Sequence, residues 1–194
     1  MRLFVALDIP AEIRERIAVF MEKQRKHAPN ARWVNPESLH VTLKFLGEVD
    51  ESRIPQIERA LRQIEVAAFS VAFKGTGFFP NAKSPRVFWV GVEASDALPS
   101  LARQIDEKLH ALGFEAEARA FSPHLTLARA AGHPGTRGKH AGRDLSELGK
   151  LPAIERASEF GTMATEEFFL YQSRLSPKGA MYTKLISFAL RPAA

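Results

Sequence analysis

A short pattern, His-x-Thr-Leu, occurs twice in this chain, as HVTL at residues 40–43 and as HLTL at residues 124–127. Each copy opens a run of aliphatic residues, HVTLKFLG and HLTLARA, of the kind that forms a strand. On a strand, side chains two apart share a face and their neighbours point the other way. His40 and Thr42 therefore lie opposite Val41 and Leu43, and His124 and Thr126 lie opposite Leu125 and Leu127. Both strands offer an imidazole and a hydroxyl on one face and anchor themselves with aliphatics on the other. A fold that brings the two polar faces together sets two imidazoles and two hydroxyls in one cleft.

The segments around the motifs suit such a fold. Residues 2–8 (RLFVALD) read as a strand, and Asp8 can cap a helix over residues 10–26, with Pro10 in its first turn and Ile13, Ile17, Phe20 and Met21 on one stripe. The stretch HAPNARWVNPES reads as a loop before the first motif strand. Helices are expected over 52–65 and 96–112, with strands at 69–79 and 86–93 between them. After the second motif, the Gly-rich basic residues 132–150 read as a loop leading into a short helix. Strands follow at 154–162, 166–173 and 183–190, with SRLSPKGAMY as a turn between the last two.

Early alternation of strands and helices, then a strand-rich portion, indicates an α+β protein with helices against its sheets. Each motif follows a Pro-containing loop and a helix lies between the two copies. That is a duplicated plan: one domain over residues 1–194, made of two similar lobes that face each other and contribute one motif each.

Composition narrows the chemistry. The chain has no Cys, which removes a thiolate nucleophile, a disulfide framework and Cys-ligated zinc. Its formal charge of +5 favours polyanionic partners, nucleic acid above all, although a solvated basic surface is the plainer reading of charge alone. The apolar run at the N-terminus is short and interrupted by Asp8, and no window approaches the roughly 20 apolar residues that span a bilayer. A cytoplasmic protein with no membrane partner is expected.

Two imidazoles near neutral pKa can act in opposite senses, one accepting a proton from a nucleophile while the other donates to a leaving group. Phosphoryl transfer needs that arrangement, with donors to the equatorial oxygens, a task open to Thr42 and Thr126. Such a site suits an activated ester, a strained cyclic phosphate for instance. Other readings stand beside this one. A single His on an apolar strand is commonly structural, and a metal site would want carboxylate or Cys partners, which neither motif contains. Phe45 is read onto the face of Thr42, where it can stack on a nucleobase or join the core, and Lys44 onto the opposite, solvent face. Residues 137–143 (RGKHAGR) can attract an RNA backbone or simply be solvated. Trp33 and Trp89 are taken as packing residues.

At these residues the sequence resembles the two-histidine (2H) phosphoesterase superfamily, defined by paired H-x-[ST]-x motifs, and within it the RNA 2′,3′-cyclic phosphodiesterase branch, often labelled 2′–5′ RNA ligases. The resemblance runs through RLFVALDIP, HVTLKFLG, SPHLTLAR and SRLSPKGAMY, the last matching a signature at Ser173, Leu175, Gly179, Ala180 and Tyr182. It implies a bilobal α+β fold of antiparallel sheets with helices outside and a central cleft. It implies hydrolysis of an RNA 2′,3′-cyclic phosphate end to a 2′-phosphate without metal or cofactor, with reversible 2′–5′ joining as a side activity; a monomer is expected. His40 would be the proton donor, His124 the base, Thr42 and Thr126 the phosphate holders, and Arg129 a clamp on phosphate or base. A 2H enzyme acting on a small cyclic nucleotide and a non-catalytic RNA-binding module are the alternatives.

Overall fold

The computed structural model describes residues 1–130, 143–150, 158–176 and 179–193. In chain order the elements are β1 (Arg2–Leu7), α1 (Ala11–Arg25), β2 (Arg32–Trp33), β3 (Val41–Glu48), α2 (Ile54–Leu61), β4 (Phe69–Phe79), β5 (Val87–Ala94), α3 (Ala97–His110), β6 (His124–Arg129), α4 (Arg143–Leu148), β7 (Glu159–Thr165), β8 (Glu167–Ser176) and β9 (Gly179–Ala189). The strands form two sheets, ordered β3-β1-β8-β9 and β2-β6-β5-β4-β7, and every pairing within them is antiparallel.

The two sheets are built alike. In each, the motif strand lies beside the strand that precedes it by one helix: β3 beside β1 across α1, and β6 beside β5 across α3. This is the α+β, two-lobed architecture expected from the sequence. Two of the helices, α1 and α3, are exchanged between the lobes, however. From α1, Phe20 packs edge-on against Phe160 of β7 at 5.2 Å, and the Arg16 guanidinium donates to the Phe160 carbonyl at 3.3 Å. From α3, Asp106 reaches β3, and the Arg62 guanidinium just after α2 stands 5.7 Å from the Phe188 ring of β9. α1 thus leaves the first sheet and covers the second, and α3 leaves the second and covers the first, whereas α2 stays with the sheet of β3, the strand it follows.

One cluster of buried side chains consequently runs through both lobes, from Leu3, Val5 and Leu7 of β1 to Leu98, Leu101 and Ile105 of α3 and Leu125 and Leu127 of β6. Burying each such residue contributes about 1.5–3 kcal/mol. The aliphatics opposite the motif polar groups, Val41, Leu43, Leu125 and Leu127, are all buried, as the alternation requires.

Several expectations are corrected. The stretch read as a loop before β3 contains β2, whose Arg32 and Trp33 pair with Arg129 and Ala128 and give β6 an edge partner. Asp8 does not cap α1: Pro10 occupies that position with no side-chain bond, and Asp8 instead accepts from Arg14 at 3.1 Å and Lys184 at 2.6 Å. The second helix is shorter than 52–65, because its first turn is a 3-10 turn over Glu51–Arg53 and its end is Leu61. Ladder pairing continues through most of SRLSPKGAMY, from Ser173–Tyr182 to Ser176–Gly179, so the turn is far shorter than expected. The basic residues 132–142 and the first part of the strand placed at 154–162 lie outside the described residues. The short helix expected near them is α4.

Candidate active site

Each motif strand carries a β-bulge immediately after its Thr. On β3 the register passes from Ala6–Thr42 to Val5–Lys44, so Leu43 is an extra residue. On β6 it passes from Trp89–Thr126 to Phe88–Ala128, so Leu127 is extra. An extra residue inverts the alternation beyond it. Strict alternation puts Lys44 and Ala128 on the faces of the threonines; the bulges bring Phe45 and Arg129 there instead.

His40, Thr42 and Phe45 from the first sheet and His124, Thr126 and Arg129 from the second accordingly line a single cleft of about 450 Å³. That volume lies within the usual range for small-molecule sites. Phe45 is 67% exposed, which places it on the cleft wall and not in the core. Lys44 does take the opposite face, but that face is not solvent. It is covered by α3, and Lys44 is 6% exposed, donating to the Asp106 carboxylate and the Glu115 carbonyl. Burial works against the Asp106 carboxylate, but the Lys44 ammonium and the Glu117 N–H outweigh it and hold its carboxyl below the usual range.

The imidazoles are held alike. His40 Nδ1 lies 2.8 Å from the Ser38 carbonyl, and His124 Nδ1 lies 2.9 Å from the Ser122 carbonyl. A carbonyl only accepts, so Nδ1 carries a proton in both and the Nε2 atoms are left to exchange protons. Both rings rest on aromatics. His40 sits 4.8 Å from Phe4 and edge-on to Tyr182 at 5.0 Å, while His124 is edge-on to Phe79 at 4.8 Å. Phe79 in turn packs 5.2 Å from Trp89, whose ring lies over Gly77; a Cβ there would stand 2.3 Å from the indole, so only glycine fits.

Burial lowers the pKa of both histidines below the ordinary 6.5, and the Arg129 guanidinium pushes in the same direction, while the bonds to Ser38 and Ser122 oppose it. The carboxylate of Asp8 raises His40, and among the described residues no carboxylate does the same for His124. The two sides therefore differ in their hold on a proton. Burial also raises the Tyr182 hydroxyl, keeping it a neutral donor at the cleft wall. Among the described residues, no group of three or more His, Cys, Asp or Glu side chains is arranged to hold a metal ion.

Sequence reasoning assigned no part to Arg2, Phe4, Ser38 or Gly47, which also line the cleft, and quoted Ser173, Ala180 and Tyr182 only as a signature. The period-two pattern of β1 does carry a signal: Arg2, Phe4 and Ala6 alternate with Leu3, Val5 and Leu7, and in the sheet they form its cleft face. What the sequence does not show is which of two apolar faces looks inward.

Two imidazoles free to pass protons in opposite senses across one cleft, with hydroxyl donors beside them, are the equipment of a phosphoesterase. The chain belongs to the LigT-like phosphoesterases: that family's sequence model matches residues 7–89 and then residues 90–182, one motif in each match. It is 38% identical to the RNA 2′,3′-cyclic phosphodiesterase of Archaeoglobus fulgidus, over 97% of this chain and 99% of that one. It is 37% identical to the protein of the same name from Thermotoga maritima, over 95% and 93%. Among solved structures it is similar to E. coli LigT complexed with 3′-AMP, with a TM-score of 0.77, 30% identity and 97% of each chain covered.

Proposed function

We propose that this chain hydrolyses the 2′,3′-cyclic phosphate end of an RNA or oligonucleotide to a 2′-phosphate. The observation that carries the reading is the pair of imidazoles on opposing sheets, each with Nδ1 tied to a backbone carbonyl and, among the described residues, no partner on Nε2. His124 Nε2 takes a proton from water as the water oxygen bonds to phosphorus. The bond from phosphorus to the 3′-oxygen breaks, and His40 Nε2 gives its proton to that oxygen. His40 is assigned as the donor; burial lowers its pKa, and the Asp8 carboxylate acts against that by favouring the charged form. The arriving phosphate anion adds to that effect by offsetting Arg129.

Thr42 and Thr126 hold the phosphate from opposite walls. Phe45 and Arg129, brought in by the paired bulges, bind the terminal nucleotide by stacking and by the planar guanidinium. If a 5′-hydroxyl replaces water, the same steps join it to the 2′-phosphate, giving a 2′–5′ linkage. The relatives named RNA 2′,3′-cyclic phosphodiesterase over nearly the full length support the substrate class.

The test is turnover of an oligonucleotide ending in a 2′,3′-cyclic phosphate, after exhaustive EDTA treatment, with the product's phosphate located by ³¹P NMR. Full activity and a 2′-phosphate are expected. A 3′-phosphate, or activity lost to chelator and restored by zinc, overturns the reading.

A further inference from the structure

We propose that Arg2 forms a second phosphate subsite in the cleft, receiving the phosphodiester one nucleotide upstream of the terminal cyclic phosphate. The proposal rests on the cyclic-phosphodiesterase reading of the same cleft and specifies the length of chain it takes.

Arg2, Phe4 and Ala6 share the cleft face of β1, and the register sets Phe4 opposite Tyr171 and Arg2 opposite Ser173. The His40 ring stands on Phe4. Two residues along a strand is about 6.8 Å, so Arg2 lies one side-chain pair beyond the aromatic platform under His40. The charges divide accordingly. The Arg129 guanidinium acts on His40, His124 and Tyr182, and the Arg2 guanidinium acts on Tyr182. Arg129 is thus placed to serve the reacting phosphate, and Arg2 a second one.

Arg2 and Arg129 line the same cleft, and small residues line it near Arg2. Gly47, opposite Leu3, and Ser173, opposite Arg2, line the cleft and carry little or no side chain. Gly47 adopts φ of 74°, a left-handed conformation that favours glycine, and a Cβ there would meet nothing within 4 Å. Arg2 is exposed, and among the described residues its side chain makes no ion pair or hydrogen bond. An uncommitted guanidinium beside these small residues suits a phosphodiester, which it can meet with two parallel donors.

Three substrates and one variant test this: a nucleoside 2′,3′-cyclic phosphate, a dinucleotide ending in one, and that dinucleotide with a neutral methylphosphonate at its internal linkage, each with wild-type protein and Arg2→Gln. The wild type is expected to favour the charged dinucleotide. Arg2→Gln is expected to lose about tenfold more kcat/KM on it than on the other two substrates, in keeping with one charge-assisted bond. The salt dependence of KM for the charged dinucleotide should fall in the variant by about 0.7 in log–log slope, one single-strand phosphate contact. Equal losses on all three substrates, or an unchanged salt slope, overturn the subsite while leaving the cyclic-phosphodiesterase reading intact. No turnover of any of the three by the wild type overturns both.

Discussion

Replacing Lys44 by Met tests how β3 is held behind the cleft. The side chains of Lys44 and Asp106 are 5% and 24% exposed, so the pair is nearly dry on one side and partly wet on the other. Without the ammonium, the Glu115 carbonyl loses its donor and Asp106 keeps only the Glu117 N–H at 3.1 Å. Breaking a buried ion pair costs about 3–5 kcal/mol, and the partial exposure of Asp106 puts this one at the low end, about 3 kcal/mol. A chain of this length loses about 2–4 °C in Tm per kcal/mol, so thermal unfolding followed by circular dichroism should shift down by about 6–12 °C. Removing both charges, with Lys44→Met and Asp106→Leu together, should recover most of the loss because no unpaired charge remains. The Asp106 pKa is depressed in the fold, so its stabilising effect is present above the ordinary carboxylate range and disappears as pH falls through the folded value. The deficit of the single variant should therefore shrink at low pH. A single variant that melts within about 2 °C of wild type, or a double variant no better than the single, refutes the reasoning.

Thr42→Val and Thr126→Val should each lower kcat/KM on a cyclic-phosphate dinucleotide by about 10- to 150-fold, the worth of one hydrogen bond to a charged oxygen, with Ser at either position retaining most of the rate. Because the two hydroxyls stand on opposite walls, the losses should multiply in the double variant. Both histidines are lowered, so the alkaline limb of kcat/KM, where the free enzyme loses the acid's proton, should lie on the acid side of about 6.5. Asp8→Asn should move that limb further down; a limb above about 7.5, or one that Asp8→Asn leaves in place, contradicts the assignment. Gly77→Ala drives a Cβ into the Trp89 ring and should cost about 1–3 kcal/mol by overpacking, measurable in denaturant unfolding. A fall in turnover should accompany it, since Trp89 supports Phe79 beneath His124.

The motif strands were legible because period two needs only local sequence: His40 with Thr42 and His124 with Thr126 follow from spacing alone. Beyond each Thr strict alternation alone does not give the faces: the placement of Phe45 beside Thr42 holds because of a bulge, which is specified by pairing with β1 or β5 and leaves no local mark. Phe45 and Arg129 reach the cleft only through it. A lone Lys on a strand, such as Lys44, is usually solvent-exposed. Its burial depends on α3, which comes from the other half of the chain and brings Asp106 to meet it. Asp8 looked like a helix cap for a similar reason, its partner Lys184 being far away in sequence on β9. Local patterns fixed the elements, and long-range packing decided which faces became a site.

In the proposed mechanism the two imidazoles act in opposite senses, His40 as acid and His124 as base. A 2′,3′-cyclic phosphate with sulfur in place of the 3′-oxygen tests it, because a thiolate leaves without a proton. On the ordinary substrate His40→Gln and His124→Gln should each lose about 10²- to 10⁴-fold in kcat. On the sulfur substrate the His40→Gln protein should regain most of that loss and the His124→Gln protein none of it. Rescue of His124→Gln alone, or of both or neither, contradicts the account.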